Sequence, residues 1–130
     1  MNLLDENIPL EQRDILEARG IRCRSVGPDI AKLGIGDDNL VALLHRLKQP
    51  TFFTRDQHFF KPRLVHASYG LVWLDVAPEE AAFFIRRFLV HPRFKTKLSR
   101  RGLVARVHHD GVHFWQRNRR ALEFAAWPGA

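Results

Sequence analysis

Three aspartates stand where acids could do joint chemistry. Asp5 closes the apolar run Met1-Asn2-Leu3-Leu4, Asp37 opens Asp37-Asp38-Asn39-Leu40, and Asp56 follows Thr51-Phe52-Phe53-Thr54-Arg55. Clustered carboxylates repel one another, and the ordinary remedy is a hard divalent cation, Mg²⁺ or Mn²⁺, held by a few carboxylates and several waters. Such an ion polarises a phosphodiester oxygen and activates a water as nucleophile, with no protein nucleophile needed. Glu6, Asp38 and His58 lie beside these acids and are further candidate ligands. Each group also has a plainer reading: Asp5-Glu6-Asn7 as a polar loop before a helix, and Asp37 and Asp38 as an N-cap and a residue suited to the helix dipole.

The acids can meet only if the elements carrying them converge. Residues 1–4 and 51–54 read as short buried strands that each run into an aspartate. In a parallel sheet both carboxyl ends share an edge, and that edge is where open α/β folds place ligands. Pro9 and Gly20 bracket a short helix over residues 10–19. Residues 21–26 alternate, with Ile21, Cys23 and Ser25 on one face of a half-exposed strand, and residues 27–36 form a turn-rich loop. Leu40, Val41, Leu43, Leu44 and Leu47 give residues 37–48 the clearest helical stripe in the chain. A strand over 70–76 and a helix over 78–90 follow, then two β-like runs, 103–107 and 112–115, joined by His108-His109-Asp110-Gly111. The Asp-Gly pair marks a hairpin turn. Strands alternating with helices predict a mostly parallel α/β sheet flanked by helices and extended by a C-terminal β-hairpin. The expected organisation is one domain over residues 1–117 and a basic, then apolar tail over 118–130, from which Phe124 and Trp127 could dock on the body.

The net charge of +7 is lopsided: from residue 81 to 121 many arginines and lysines face the single acid Asp110. A basic half beside a balanced half implies a polyanionic partner, nucleic acid before membrane. The candidate contacts are Arg55, Arg93, Lys95, Lys97, Arg100, Arg101, Arg106, Trp115 and Arg117. Arg55 also reads as an ion-pair partner of the acids. Of Phe114 and Trp115 one must face the core, leaving one to stack on a base. His108, His109 and His113 lack an accompanying cysteine and do not read as a zinc site. The lone Cys23 excludes an internal disulfide and fits a reducing cytoplasm. No run approaches the ~18 apolar residues of a membrane span, and the start lacks a basic leader region.

Leu3-Leu4-Asp5-Glu6-Asn7, Gly36-Asp37-Asp38-Asn39-Leu40 and Thr54-Arg55-Asp56-Gln57-His58-Phe59 resemble, in order and spacing, the three signature stretches of the toxin-like PIN-domain family, relatives of the VapC ribonuclease toxins. The resemblance covers roughly the first 60 residues. It implies a PIN-like three-layer fold and an endoribonuclease dependent on Mg²⁺ or Mn²⁺, the toxin of a toxin–antitoxin pair that cleaves RNA with a metal-activated water. Asp5, Asp37 (Asp38 if the register slips by one) and Asp56 would be its metal-binding, catalytic acids. It also implies a small antitoxin as partner, whose acidic tail could dock on the basic half, and by analogy a homodimer. His58 departs from the family pattern, which has another aspartate there. A neutral imidazole weakens Mg²⁺ binding, shifts preference toward Mn²⁺, or marks lost catalysis. The alternative is therefore a non-catalytic nucleic-acid- or partner-binding module on the same fold. A phospho-accepting receiver domain is disfavoured because no lysine follows residues 72–76.

Overall fold

The computed structural model describes residues 1–27 and 37–129, and of Asp37 the backbone alone. The chain builds β1 (Asn2–Leu4), α1 (Leu10–Ala18), β2 (Arg24–Ser25), α2 (Asp37–Arg46) and β3 (Thr51–Thr54). Two 3₁₀ turns, Gln57–Phe59 and Pro62–Leu64, lead to β4 (Gly70–Leu74). A third turn, Pro78–Glu80, feeds α3 (Ala81–Val90), followed by α4 (Lys97–Arg100), β5 (Leu103–His108), β6 (Gly111–Gln116) and β7 (Glu123–Ala126). The architecture is α/β: one seven-stranded sheet in the order β2-β1-β3-β4-β5-β6-β7 with helices on both faces. The first five strands in that order are mutually parallel, and β6 and β7 add on antiparallel.

The short apolar runs at 3–4 and 52–53 do not alternate because both of their faces are buried. Leu4 and Phe53 point into one core with Val72, Phe114 and the α1 and α3 residues Leu16, Phe84, Ile85 and Phe88. Leu3 and Phe52 point into the other, where Leu40 and Leu44 of α2 join Phe59, Tyr69 and Val104. The helical stripe read over 37–48 is thus the covering of one sheet face. Gly70 is fixed by close approach, since a Cβ there would collide with the Arg100 carbonyl.

Several elements differ from the sequence expectation. The strand expected over 21–26 shrinks to Arg24–Ser25; its neighbour β1 is only three residues long, so little partner is needed. Cys23, expected on one face of that half-exposed strand, is instead buried and precedes β2. The loop expected over 27–36, with Gly34-Ile35-Gly36, lies outside the described residues except for Gly27. Residues 118–130, expected as a tail, contribute β7, which pairs with β6 from Phe114↔Glu123 to Gly111↔Ala126. Trp127 is buried and donates its indole N–H to the His108 carbonyl at 2.9 Å. No helix among the described residues is long and apolar enough to cross a membrane.

Candidate active site

The strand order reverses between β1 and β3: the chain first moves from β1 to β2 on one side, then to β3 on the other. At such a reversal the connecting elements leave in opposite directions, and a crevice opens beyond the carboxyl ends of the strands. Asp5 and Asp56 follow the two strands that flank it. The parallel register Asn2↔Thr51, Leu3↔Phe52, Leu4↔Phe53 carries on into an Asp5 N–H···Phe53 carbonyl bond of 2.9 Å.

Thr54, fully buried at the end of β3, joins both acids. Its hydroxyl accepts from the Asp56 backbone N–H at 3.0 Å and from Asn7 Nδ2 at 3.2 Å. With both acceptor positions occupied, its proton is left for Asp5 Oδ2, 2.7 Å away. Asp5 Oδ1 accepts the Glu6 N–H at 2.8 Å, so this carboxylate takes a donor on each oxygen. Asn7 closes the circuit by accepting the Arg55 N–H at 3.0 Å. The loops after β1 and β3 are therefore stitched together by side chains that their own motifs supply.

Asp5 is 8% exposed, and burial holds its carboxyl above the usual carboxylate value. The bonds from Thr54 and Glu6 pull the other way, while the charges of Glu6 and Asp56 add to the rise. Asp5 and Glu6 line a cleft of about 240 Å³ with Ile8 and Val26. Asp56 makes a different arrangement. Its Oδ1 accepts both the His58 backbone N–H at 2.9 Å and ring Nδ1 at 2.8 Å. An ionised carboxylate only accepts, so Nδ1 carries a proton and Nε2 is left facing solvent from an exposed ring.

Of the expected metal ligands, Asp5 and Asp56 are brought to one edge. Asp37 is the first residue of α2, but its side chain lies outside the described residues. Asp38 and Glu6 are exposed, and His58 is bound to Asp56. Among the described residues no group of three or more His, Cys, Asp or Glu side chains is placed to hold a metal ion. Two carboxylates still match the sparse protein ligation of Mg²⁺ or Mn²⁺, which keep several waters and take substrate oxygens. Arg55, also read as an ion-pair partner of the acids, makes no ion pair among the described residues, and its Nε is buried without a hydrogen-bond partner there. An unanswered guanidinium N–H beside two acids fits a site that receives an anionic group.

The other basic candidates do not form one surface. Arg106 binds Asp75 Oδ2 through Nε at 2.9 Å and Nη2 at 2.8 Å, and lies over the Trp73 ring. Trp115 faces away from the core that buries Phe114 and packs on Phe60, with ring centroids 4.6 Å apart. The Arg117 stem covers Gly102. Arg93 pairs with Glu123, and Arg101 bonds the Ala67 carbonyl. Lys95, Lys97 and Arg100 stand at the opposite edge of the sheet, beside Met1 and Asn2. His108 and His113 share a hydrogen bond of 2.8 Å, whereas His109 turns to Glu80.

Three residues that matter were not singled out by the sequence reading. Thr54 and Asn7 sit inside the quoted motifs, two positions from Asp56 and from Asp5 respectively, and a hydroxyl or amide at the mouth of a buried strand was their signal. Asp75 follows β4 as Asp5 follows β1, and the repeated pattern of a strand running into an aspartate pointed to it. No protein-family model, curated protein or solved structure matches this chain.

Proposed function

We propose that the crevice between the β1 and β3 ends is the centre of a PIN-like, divalent-metal-dependent endoribonuclease. The observation that carries the reading is the Asp5–Thr54–Asp56 junction at the chain reversal, with the Arg55 Nε buried beside it and without a hydrogen-bond partner among the described residues. Asp5 and Asp56 would hold the ion, with Asp37 the third acid by resemblance. A bound Mg²⁺ or Mn²⁺ supplies Lewis-acid polarisation of the scissile phosphate. Thr54 and Glu6 fix the direction of the Asp5 carboxylate. Arg55 meets the phosphate charge, and His58 Nε2 is the open base that can take a proton from the attacking water. Arg106, Trp115 and Arg117, on strands farther along the sheet, contact flanking RNA by charge and stacking. The same reading makes the protein a cytoplasmic toxin whose small antitoxin competes with RNA for these contacts, and whose partner of the same kind is a second copy.

A second reading rests on the commitment of Asp56 Oδ1 to His58, which lowers the ligand count. On that reading the fold binds RNA or a protein partner without cleaving.

Calorimetric titration of Mn²⁺ and Mg²⁺ into the wild type and Asp5→Asn, paired with cleavage of a 5′-labelled RNA with and without EDTA, separates the two. Saturable binding lost in the variant, with EDTA-sensitive cleavage, supports the nuclease. RNA binding without metal binding or cleavage supports the module. Failure of metal, RNA and cleavage alike overturns both.

A further inference from the structure

Arg100 is a buried cation, 8% exposed. Its Nε donates to the Thr51 hydroxyl at 3.2 Å and its Nη1 to the Phe94 carbonyl at 2.8 Å, both neutral acceptors. Among the described residues it enters no ion pair. Buried charges are ordinarily paired, because neutral hydrogen bonds return only part of the lost hydration. Arg100 lines a cavity of about 490 Å³ at the amino ends of the parallel strands. Three landmarks fix that position: Asn2 at the start of β1 lines it, Thr51 begins β3, and Gly70, in contact with Arg100, begins β4.

The rest of the wall sharpens the case. Arg22, Lys95 and Lys97 contribute three more cations, Ile21 and Leu89 contribute apolar surface, and among the described residues no carboxylate lines the cavity. Solvated lysines on a convex surface need no partner. Four cationic side chains are gathered around one concavity, Arg100 buried and Arg22, Lys95 and Lys97 exposed at its mouth, and their like charges disfavour the empty arrangement. A second depression of about 730 Å³ shares Ile21 and Arg22 with the first and continues past Cys23.

We propose that this cavity binds an oligophosphate, with Arg100 as its floor and Arg22, Lys95 and Lys97 as its rim. Several cations disposed around one space match a multiply charged tetrahedral oxyanion, and a guanidinium fork suits phosphate geometry. The ligand chemistry is shared by free pyrophosphate and by the 5′-phosphates of a nucleotide; the apolar wall and the adjoining depression have room for a nucleoside. The site lies at the other end of the strands from Asp5, about 10 Å along β1, so it is separate from the acid crevice.

The test is calorimetric titration of sodium pyrophosphate, ATP and AMP at fixed ionic strength, with EDTA present so that the acid edge cannot contribute through a metal. Wild type, the double variant Lys95→Gln/Lys97→Gln and Asp5→Asn are compared. The two lysines are exposed, so the double variant should keep the wild-type urea midpoint. Expected is saturable binding of pyrophosphate, weakened at least tenfold in the double variant and unchanged in Asp5→Asn. ATP binding more tightly than pyrophosphate would identify a nucleotide as the source; pyrophosphate alone binding would identify a free oligophosphate. Heats no greater than those of a chloride control, or binding undiminished in the double variant, would overturn the proposal. Neither result bears on whether the acid crevice cleaves RNA.

Discussion

The Thr54 hydroxyl donates to the Asp5 carboxylate across the β1–β3 boundary at 2.7 Å, and no second arrangement of its proton is open to it. Asp56 N–H and Asn7 Nδ2 already point at the hydroxyl oxygen. Thr54→Val keeps the shape of the side chain but leaves an Asp5 oxygen and the Asp56 N–H without their partner in a buried place. Loss of a partner from a buried polar group costs about 1–3 kcal/mol. Thr54→Val should therefore lower stability by that amount in urea denaturation, while Thr54→Ser, which keeps the hydroxyl, should recover most of it. Equal stability of the valine variant and the wild type would show that the junction contributes nothing.

Asp5 itself should give the acid limb of stability an unusual sign. Burial raises its carboxyl above the ordinary 3.8, so the folded protein holds a proton that the unfolded chain releases. The unfolded state then binds fewer protons across the interval between the two values. Its contribution to stability is fully present below pH 3.8 and is lost as pH rises through the folded value. The difference in denaturation free energy between wild type and Asp5→Asn, followed upward from pH 3.5, should move against the wild type. A difference that is flat, or that moves in its favour, would contradict the assigned direction.

The histidine pair at the other end of the sheet works in the opposite sense. His108 Nδ1 accepts the Asp110 N–H at 3.3 Å, so its proton sits on Nε2 and is donated to His113 Nδ1 at 2.8 Å. Both rings are therefore neutral as they stack, centroids 4.9 Å apart. Burial, then the neighbouring Arg106 and His113, push His108 below the ordinary 6.5, against the pull of Asp110 and Asp75. Here the unfolded chain binds the extra proton, so stability is present above pH 6.5 and is lost as pH falls through the lowered folded value. Thermal unfolding of the wild type relative to His108→Leu should show that loss on going from pH 7 to pH 5.

Much of the scaffold was legible because burial writes itself into composition. Phe52 and Phe53 are apolar in succession since each faces a different core, and that run marked a central strand without any alternation to read. Leu40 and Leu44 fell at helical spacing because one face of α2 covers the sheet. β7 was not legible. Its Glu123 and Ala125 turn partly inward while Phe124 stays about half exposed, so the stretch shows none of the usual polar–apolar contrast and its identity rests on pairing with β6. At the candidate site the acids announced themselves by following strands. The hydrogen-bond direction at Thr54 depends on Asp5 and Asn7, 49 and 47 positions away in the chain, which local spacing does not specify. His58 is held to Asp56 locally, through the cap of the 3₁₀ turn that Asp56 opens.

Cys23 should be chemically quiet. Burial, reinforced by the charge of Glu17, pushes its thiol up to about 11, so almost no thiolate exists at neutral pH. Its reaction with an aromatic disulfide reagent at pH 7.5 should be slow in the native protein and become rapid in denaturant. Rapid reaction under native conditions would place the thiol in solvent and contradict the burial of Cys23.

His58 is where the two functional readings part. Its ring is 69% exposed at the side chain and bonded to Asp56 through Nδ1, so His58→Ala removes little packing and should change stability by less than about 1 kcal/mol. In the nuclease reading Nε2 takes a proton during attack, and a positioned acid–base group contributes on the order of 10²–10⁴ in rate. His58→Ala should then lower kcat by about that factor with KM little changed. His58→Asp separates this from a ligand effect: it restores an acid at the position but cannot supply an imidazole. A variant that cleaves better than wild type would assign His58 to a weakened metal site, and one as slow as His58→Ala would assign it to proton transfer.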